Sequence, residues 1–289
     1  MGSLRLLVVD GNTREVNARH RAQGGRPTGE HYVAVLRELD PDVACHVVHP
    51  ADEGGDAVPS WVGLGDFDGV AWSGSALNVY QDVPAVRRQV ELAAAVFQAG
   101  VPMFGSCWGL QVATVAAGGV VRPNPKGREI GFARHIAPTA AGALHPMYEG
   151  KRGVFDAIAV HLDEVAVPPE RMTVLAGNAM SDIQAAEIRH AAGTCWGVQY
   201  HPEYDLNEIG AVMARHGGAM IEAGLVADQP ALDRLVTDLR ALHANPGRRD
   251  VAWLYGIGEG ILDSGRRRAE IANWLSFQVR PRAAERAGG

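Results

Sequence analysis

The segment GSCWGLQ, residues 105–111, contains a cysteine in surroundings that suit a nucleophile. The apolar residues before it are typical of a short buried strand, and residues 110–117 are predicted to form a helix. At the start of a helix, the dipole and the unpaired backbone amides favour the thiolate form of Cys107. Gly105 and Gly109 leave room for a sharp turn. The pattern indicates a nucleophile, although G-x-C-x-G alone fits a buried structural cysteine almost as well.

A second segment, WGVQYHPE, residues 196–203, supplies a base for such a thiol. Its first five residues predict a strand that ends at His201, and Pro202 holds the His201 backbone extended. An imidazole at this point can take the thiol proton, while the carboxylate of Glu203 fixes its tautomer and stabilises the imidazolium. Because other His-Pro pairs occur in the chain, the prediction depends on finding both segments together.

Short apolar runs alternate with helical patterns through the first 225 residues, which is typical of βαβ units. The predicted strands are 4–9, 43–48, 67–72, 101–106, 128–138, 154–161, 172–175, 183–190 and 194–200. The predicted helices are 29–39, 84–98, 110–117 and 208–223. The sequence therefore predicts an α/β fold, a three-layer sandwich around a central, mostly parallel sheet.

The pattern changes after residue 225. Apolar residues then recur at helical spacing in two stretches, first at Leu232, Leu235, Val236, Leu239 and Leu242, and again at Ile271, Trp274, Leu275 and Val279. We therefore expect a main domain over 1–225 and a helical C-terminal extension over 226–289. The extension is expected to pack on the main domain rather than to form a partner surface.

Composition excludes several classes of protein. The 289 residues include 27 basic and 33 acidic side chains, with no sustained basic block, so a nucleic-acid partner is not expected. Cys45, Cys107 and Cys195 are too few and too widely spaced for a disulfide framework or a zinc knuckle. No signal-peptide pattern and no long apolar stretch is found, so we expect a cytoplasmic protein without a membrane partner. No metal or cofactor is predicted.

Together, GSCWGLQ and WGVQYHPE resemble the Cys-His-Glu triad segments of class I glutamine amidotransferases. The segment WSGSALNVYQD, residues 72–82, resembles the glycine turn that this family places before the nucleophile. GREIGFARHIAPT, residues 127–139, is similar to the stretch beside bound glutamine, and HLDEVAVPP, residues 161–169, is most like that of GMP synthase-like domains. The resemblance covers roughly 1–225 and implies the flavodoxin-like fold of the family.

The resemblance implies a role for each matching residue. Cys107, His201 and Glu203 are the implied triad, and backbone N–H groups at Gly74 and Trp108 form the implied oxyanion hole. Substrate contacts are implied at two further residues, Gln111 and Glu129. For Gln111 the alternative is a core hydrogen bond, and for Glu129 it is a solvated strand edge. His161 and Asp163 are interpreted as structural or peripheral.

The sequence departs from the family pattern at two places. The oxyanion turn has Gly74-Ser75 where many members have paired glycines, which leaves the geometry of the turn open. The polar segment 11–27, expected to be a loop, is longer than the family pattern and suits a lid or a partner contact.

The residues leave three hypotheses for function. In the first, the chain is a glutaminase that passes ammonia to a separate synthase, because it has no P-loop or nucleotide-binding glycine pattern of its own. The alternative is a self-sufficient hydrolase of γ-glutamyl amides or peptides. The third, an inactive binding module, is disfavoured by the intact triad. The substrate is accordingly glutamine or a γ-glutamyl compound, and a homo-oligomer remains open.

Overall fold

The computed structural model describes residues 3–55, 63–151 and 153–288. The strands are β1 (Arg5–Val9), β2 (Ala44–Val48), β3 (Gly69–Trp72), β4 (Met103–Ser106), β5 (Val120–Pro123), β6 (Glu129–Pro138), β7 (Phe155–His161), β8 (Asp163–Val167), β9 (Met172–Gly177), β10 (Ala185–His190) and β11 (Gly193–Val198). The helices are α1 (Arg14–Ala22), α2 (Thr28–Leu39), α3 (Pro84–Gln98), α4 (Trp108–Ala116), α5 (Leu206–Arg215), α6 (Gly217–Glu222), α7 (Gln229–Ala244), α8 (Arg249–Leu254), α9 (Glu259–Leu262), α10 (Ser264–Arg267), α11 (Ala269–Trp274) and α12 (Arg280–Gly288), with a π-helical turn at Leu275–Val279.

Nine strands form one mixed sheet in the order β2-β1-β3-β4-β11-β10-β9-β6-β7, and β5 pairs with β8 in a small second sheet. The first five strands in this order are parallel. The remaining four continue antiparallel. Antiparallel neighbours can be joined by tight turns, as β10 and β11 are, whereas parallel strands need a longer crossover. The expected parallel sheet is therefore found in the half that carries Cys107.

Helices cover both faces of the parallel half, which confirms the three-layer prediction. In β1, Leu6 and Val8 point to one face and pack with α2, whereas Leu7 and Val9 point to the other and pack with α3 and α4. All four side chains are fully buried. This alternation follows from the two-residue period of a strand. No helix in the described ranges is long and apolar enough to cross a membrane.

The C-terminal helices share the core of the sheet. Helix α7 packs along α5, and its buried Leu232 and Leu239 belong to the same apolar cluster as Ile158 of β7. Trp274 is fully buried, and its ring lies 5.9 Å from that of Phe104, measured between centroids. The predicted packing of the extension on the main domain is confirmed.

The expected loop over 11–27 is instead largely helical. Thr13 begins α1, and its side chain accepts a hydrogen bond from the Val16 amide. The buried carboxylate of Asp10 ties the segment down, because it accepts hydrogen bonds from Thr28 Oγ1 (2.7 Å) and Asn17 Nδ2 (2.9 Å). Asn17 therefore serves as an internal hydrogen-bonding partner, whereas Arg14, Glu15 and Arg19 of the same segment are exposed.

Candidate active site

Cys107 lies at a strained turn between β4 and α4. Its φ of 52° and ψ of −97° are unusual for a residue with a side chain. A Cβ added at Gly105 would come within 2.5 Å of the Gly109 backbone, and one at Gly109 within 2.8 Å of Trp72. The two glycines are thus required by the close approach of the helix to the sheet. The geometry confirms the strand-to-helix turn predicted from the sequence.

His201 and Glu203 follow β11, the parallel neighbour of β4. His201 Nδ1 and Glu203 Oε1 are 2.7 Å apart, and both side chains are 1% exposed. The His201 amide donates to the carbonyl oxygen of Ile158 (2.7 Å), which fixes the backbone. Ser106 Oγ donates to the other Glu203 oxygen (2.8 Å). Ser106 lies within the predicted motif, but its link to the carboxylate depends on tertiary structure.

The charge on His201 is set by its neighbours. Burial by itself would lower the pKa of this imidazole, but Glu203 and then Cys107 outweigh burial and raise the pKa to about 10. His201 Nε2 is buried without a hydrogen-bond partner among the described residues. The Cys107 thiol lies beside the imidazole and donates to the Val160 carbonyl (3.5 Å). A protonated imidazole beside a thiol favours the thiolate.

The imidazole of His201 is packed by two neighbours. Tyr204 stacks on its face with ring centroids 4.2 Å apart and planes at 11°. Gly74 lies at its Cε1 edge, where an added Cβ would come within 2.6 Å of that atom. Sequence reasoning missed Tyr204, because nothing in the pattern HPEY distinguishes a stacked tyrosine from a core tyrosine.

The predicted oxyanion groups lie in the same place. Trp108 is the first residue of α4, so its backbone N–H has no acceptor within the helix. The turn at Gly74 is supported by Asn12, whose Oδ1 accepts from the Ala76 amide (2.9 Å), and by Ser73, whose Oγ accepts from the Gly11 amide (2.9 Å). The turn after β3 is therefore held against the segment that follows β1, through Asn12 on one side and Ser73 on the other.

A cavity of about 140 Å³ joins these groups. Its wall includes Cys107, His201, Gly74 and Gln111. Gln111 is buried and donates to Gln199 Oε1 (3.3 Å), so the core hydrogen bond is present, and the substrate contact stays a prediction.

Glu129 lies behind the cavity wall. It is 7% exposed, which makes the expectation of a solvated strand edge wrong. The reason is that His161 of β7, together with Asn178 and Gln184, encloses its carboxylate at 2.7–2.8 Å. Burial disfavours ionisation of Glu129, but His161, Asn178 and Gln184 outweigh it and hold its pKa below the usual range. His161 Nε2 lies 2.8 Å from Glu129 Oε2, and His161 itself reaches the cavity.

Charged side chains that sequence reasoning did not select also line the cavity. Arg128 and Arg215 bring two guanidinium groups, and Asp163 brings a carboxylate held by Asn78 (2.8 Å) and Tyr80 (3.2 Å). Burial raises the pKa of Asp163 despite these hydrogen bonds. Within the described residues, no group of three His, Cys, Asp or Glu side chains is arranged to hold a metal ion.

Comparisons with known proteins identify relatives of this chain. A family model described as glutamine amidotransferase class-I matches residues 33–219. A γ-glutamyl-L-1-hydroxyisopropylamide hydrolase from Pseudomonas sp is 32% identical over 291 residues, which cover 100% of this chain and 97% of that protein. The GMP synthase of Leifsonia xyli subsp. xyli is 31% identical over 186 residues, which cover 62% of this chain and 34% of the synthase. The chain thus spans about a third of that synthase.

A solved structure shows the same fold. The glutamine amidotransferase from Thermotoga maritima matches with a TM-score of 0.62 at 15% identity, covering 91% of this chain and 100% of that one. The family model spans more than half of the chain and includes both segments that meet at the cavity. The chain therefore belongs to the class I glutamine amidotransferase family, and it is an amide-hydrolysing enzyme.

Proposed function

We propose that this chain hydrolyses the γ-glutamyl amide of a small amine to glutamate and the free amine, without a synthase partner. The observation that carries the proposal is the match to the Pseudomonas γ-glutamyl amide hydrolase over the full chain, including the C-terminal helices. The GMP synthase match covers 62% of the chain. In this structure the C-terminal helices support the site, because α7 packs on α5 and α5 ends at Arg215.

The triad performs the first half of the reaction. The Cys107 thiolate attacks the γ-carbonyl carbon, forming a carbon–sulfur bond and a tetrahedral oxyanion. Backbone N–H groups at Gly74 and Trp108 stabilise that oxyanion in the proposed reaction, and losing one such donor typically costs about 3 kcal/mol in the barrier. The His201 imidazolium gives its Nε2 proton to the amide nitrogen, the carbon–nitrogen bond breaks, and the amine leaves a glutamyl thioester.

Water completes the cycle. Neutral His201 takes a proton from a water molecule, and the resulting hydroxide attacks the thioester carbon. The carbon–sulfur bond breaks, glutamate is released, and Cys107 returns as the thiolate beside the imidazolium. Glu203 holds Nδ1 throughout, so the reacting nitrogen is always Nε2.

The charges of the cavity suit a γ-glutamyl substrate. Such a substrate carries an α-carboxylate and an α-ammonium group at the end remote from the scissile bond. Arg215 and Arg128 provide positive charge for the carboxylate, and Asp163 provides negative charge for the ammonium group. The volume of about 140 Å³ suits a small molecule rather than a folded partner.

Glutamine hydrolysis for a separate synthase is the second candidate. The similarity to GMP synthases supports it, since the same triad would release ammonia in place of a substituted amine. In that case a partner would be needed to consume the ammonia.

Steady-state kinetics of the purified full chain separates the two candidates. Glutamate release is measured with glutamine and with γ-glutamyl amides of small amines, including a hydroxyalkylamine, beside the Cys107→Ala variant. We expect kcat/KM for a γ-glutamyl alkylamide to exceed that for glutamine by tenfold or more. A preference for glutamine would refute the hydrolase proposal and favour the synthase-linked one.

A further inference from the structure

We propose that a small oxyanion, a phosphate or carboxylate group, binds in a second cavity between the C-terminal helices and the catalytic body. This cavity of about 320 Å³ is lined by α2, the start of α5, the end of α7 and residues around α10. Two arginines that are adjacent in sequence, Arg267 and Arg268, contribute to its wall. The site is separate from the catalytic cavity.

The two guanidinium groups are buried with too few partners. Arg267 is 8% exposed and Arg268 is 7% exposed. Arg268 pairs with Glu38, whose side chain is 60% exposed. Arg267 has no carboxylate partner in the described ranges, and its Nη1 donates to the carbonyl oxygen of Ile261. Asp205 also lies in the wall, with its Oδ1 3.8 Å from His243 Nδ1. Three arginines, Arg26, Arg267 and Arg268, therefore face two carboxylates, Glu38 and Asp205, and a bound anion would balance the remaining positive charge.

Further polar atoms of the two arginines also lack partners. The Nε atoms of Arg267 and Arg268 are buried, and no described residue accepts a hydrogen bond from them. Burial, followed by the charge of Arg268, lowers the pKa of Arg267. Arg26 and His243 bring further donors to the wall. A guanidinium fork matches the oxygen pairs of a phosphate or a carboxylate, which identifies the class of ligand.

One residue of the cavity wall is hydrogen-bonded to the proposed triad. His31 lines it, and His31 Nε2 donates to the backbone carbonyl oxygen of Glu203 (2.8 Å). The second nitrogen, His31 Nδ1, is buried without a hydrogen-bond partner in the described part of the chain. An anion bound here would lie beside His31, which hydrogen-bonds the backbone of Glu203.

Thermal unfolding of the full chain tests the site. The melting temperature is followed in phosphate, in succinate and in chloride at equal ionic strength, so that phosphate and carboxylate sources are compared directly. At a tenfold excess over Kd, a bound anion is expected to raise Tm by roughly 3 °C. Arg267→Gln should abolish the increment, whereas Arg266→Gln, a matched change at the exposed neighbour, should keep it.

A second variant tests the proposal even if Arg267→Gln does not fold. Glu38→Gln removes the exposed carboxylate that competes for the arginines, so it should lower the Kd for phosphate severalfold. Equal increments in Arg267→Gln and Arg266→Gln would overturn the proposal, as would an increment in chloride as large as that in phosphate or succinate. An unchanged or weaker affinity in Glu38→Gln would overturn it as well.

Discussion

The Gly74→Ala substitution tests how closely the oxyanion turn packs against His201. The added Cβ would lie 2.6 Å from His201 Cε1, whereas ordinary contacts begin near 3.4 Å, so one of the two groups must move by nearly 1 Å. The imidazole has little freedom, because Glu203 binds Nδ1 and Tyr204 stacks on the ring. The displacement therefore falls on the turn, on the imidazole, or on both, and the proposed reaction needs each of them.

The expected loss can be stated from general magnitudes. A misplacement of about 1 Å typically costs a hundredfold in rate, which corresponds to about 3 kcal/mol in the barrier. Overpacking is expected to lower the unfolding free energy by about 1–3 kcal/mol, which leaves the protein folded for assay. The measurements are kcat/KM for glutamate release and urea unfolding of the same preparation.

Gly218→Ala is the matched control. Gly218 lies in α6 with no atom within 4 Å of an added Cβ, so the same substitution should leave activity unchanged. If a folded Gly74→Ala variant kept kcat/KM within threefold of the wild-type value, the turn would not constrain the imidazole, and this part of the account would be refuted.

Three further predictions follow from the same structure. Trp274→Ala should lower the unfolding free energy by about 3–5 kcal/mol in urea titration, because it removes a fully buried ring, whereas exposed Trp253→Ala should change it by less than about 0.5 kcal/mol. Glu203→Gln should lower stability by about 3–5 kcal/mol at pH 6, measured by urea unfolding across a pH series. This difference should shrink between pH 6.5 and 10. The pKa of His201 rises from 6.5 in the unfolded chain to about 10 in the folded protein, so its charge stabilises the fold fully below pH 6.5, and this stabilisation is lost as the pH approaches 10. Arg215→Gln should raise KM for a γ-glutamyl amide by roughly tenfold or more with little change in kcat, measured by steady-state kinetics.

Each of these predictions has a result that would contradict it. A Trp274→Ala variant as stable as Trp253→Ala would show that the C-terminal helices do not support the core. If the loss of stability in Glu203→Gln did not depend on pH, Glu203 would not be stabilising a charged His201. A loss of kcat at unchanged KM in Arg215→Gln would place that side chain in the chemical step instead of in binding.

The two segments of the proposed triad could be picked out from the sequence because their signals are local. Gly105, Cys107 and Gly109 lie within five residues, and the strand and helix that hold them follow from the hydrophobic pattern. His201 and Glu203 were also predicted from one short segment. That the two segments meet is a consequence of β4 and β11 being parallel neighbours, which brings their carboxyl ends to the same edge of the sheet.

Features that depend on contacts distant in sequence were not predicted. The charge of the cavity is one example, since Arg215 ends a helix more than a hundred residues after Cys107. The segment 11–27 is another, because its polar residues resemble a loop until Asp10 is known to be buried and to accept their hydrogen bonds. The antiparallel half of the sheet was assigned as strands, but its direction is set by pairings that periodicity does not encode.

Intact-mass spectrometry of the acyl-enzyme tests the central claim most directly. The full chain is mixed with a γ-glutamyl amide, quenched in acid within the first turnovers and compared with Cys107→Ala. We predict an added mass of one glutamyl group that peptide mapping assigns to Cys107 and that is missing from the variant. Turnover with no adduct at Cys107, or an adduct that persists in the variant, would contradict the proposed reaction.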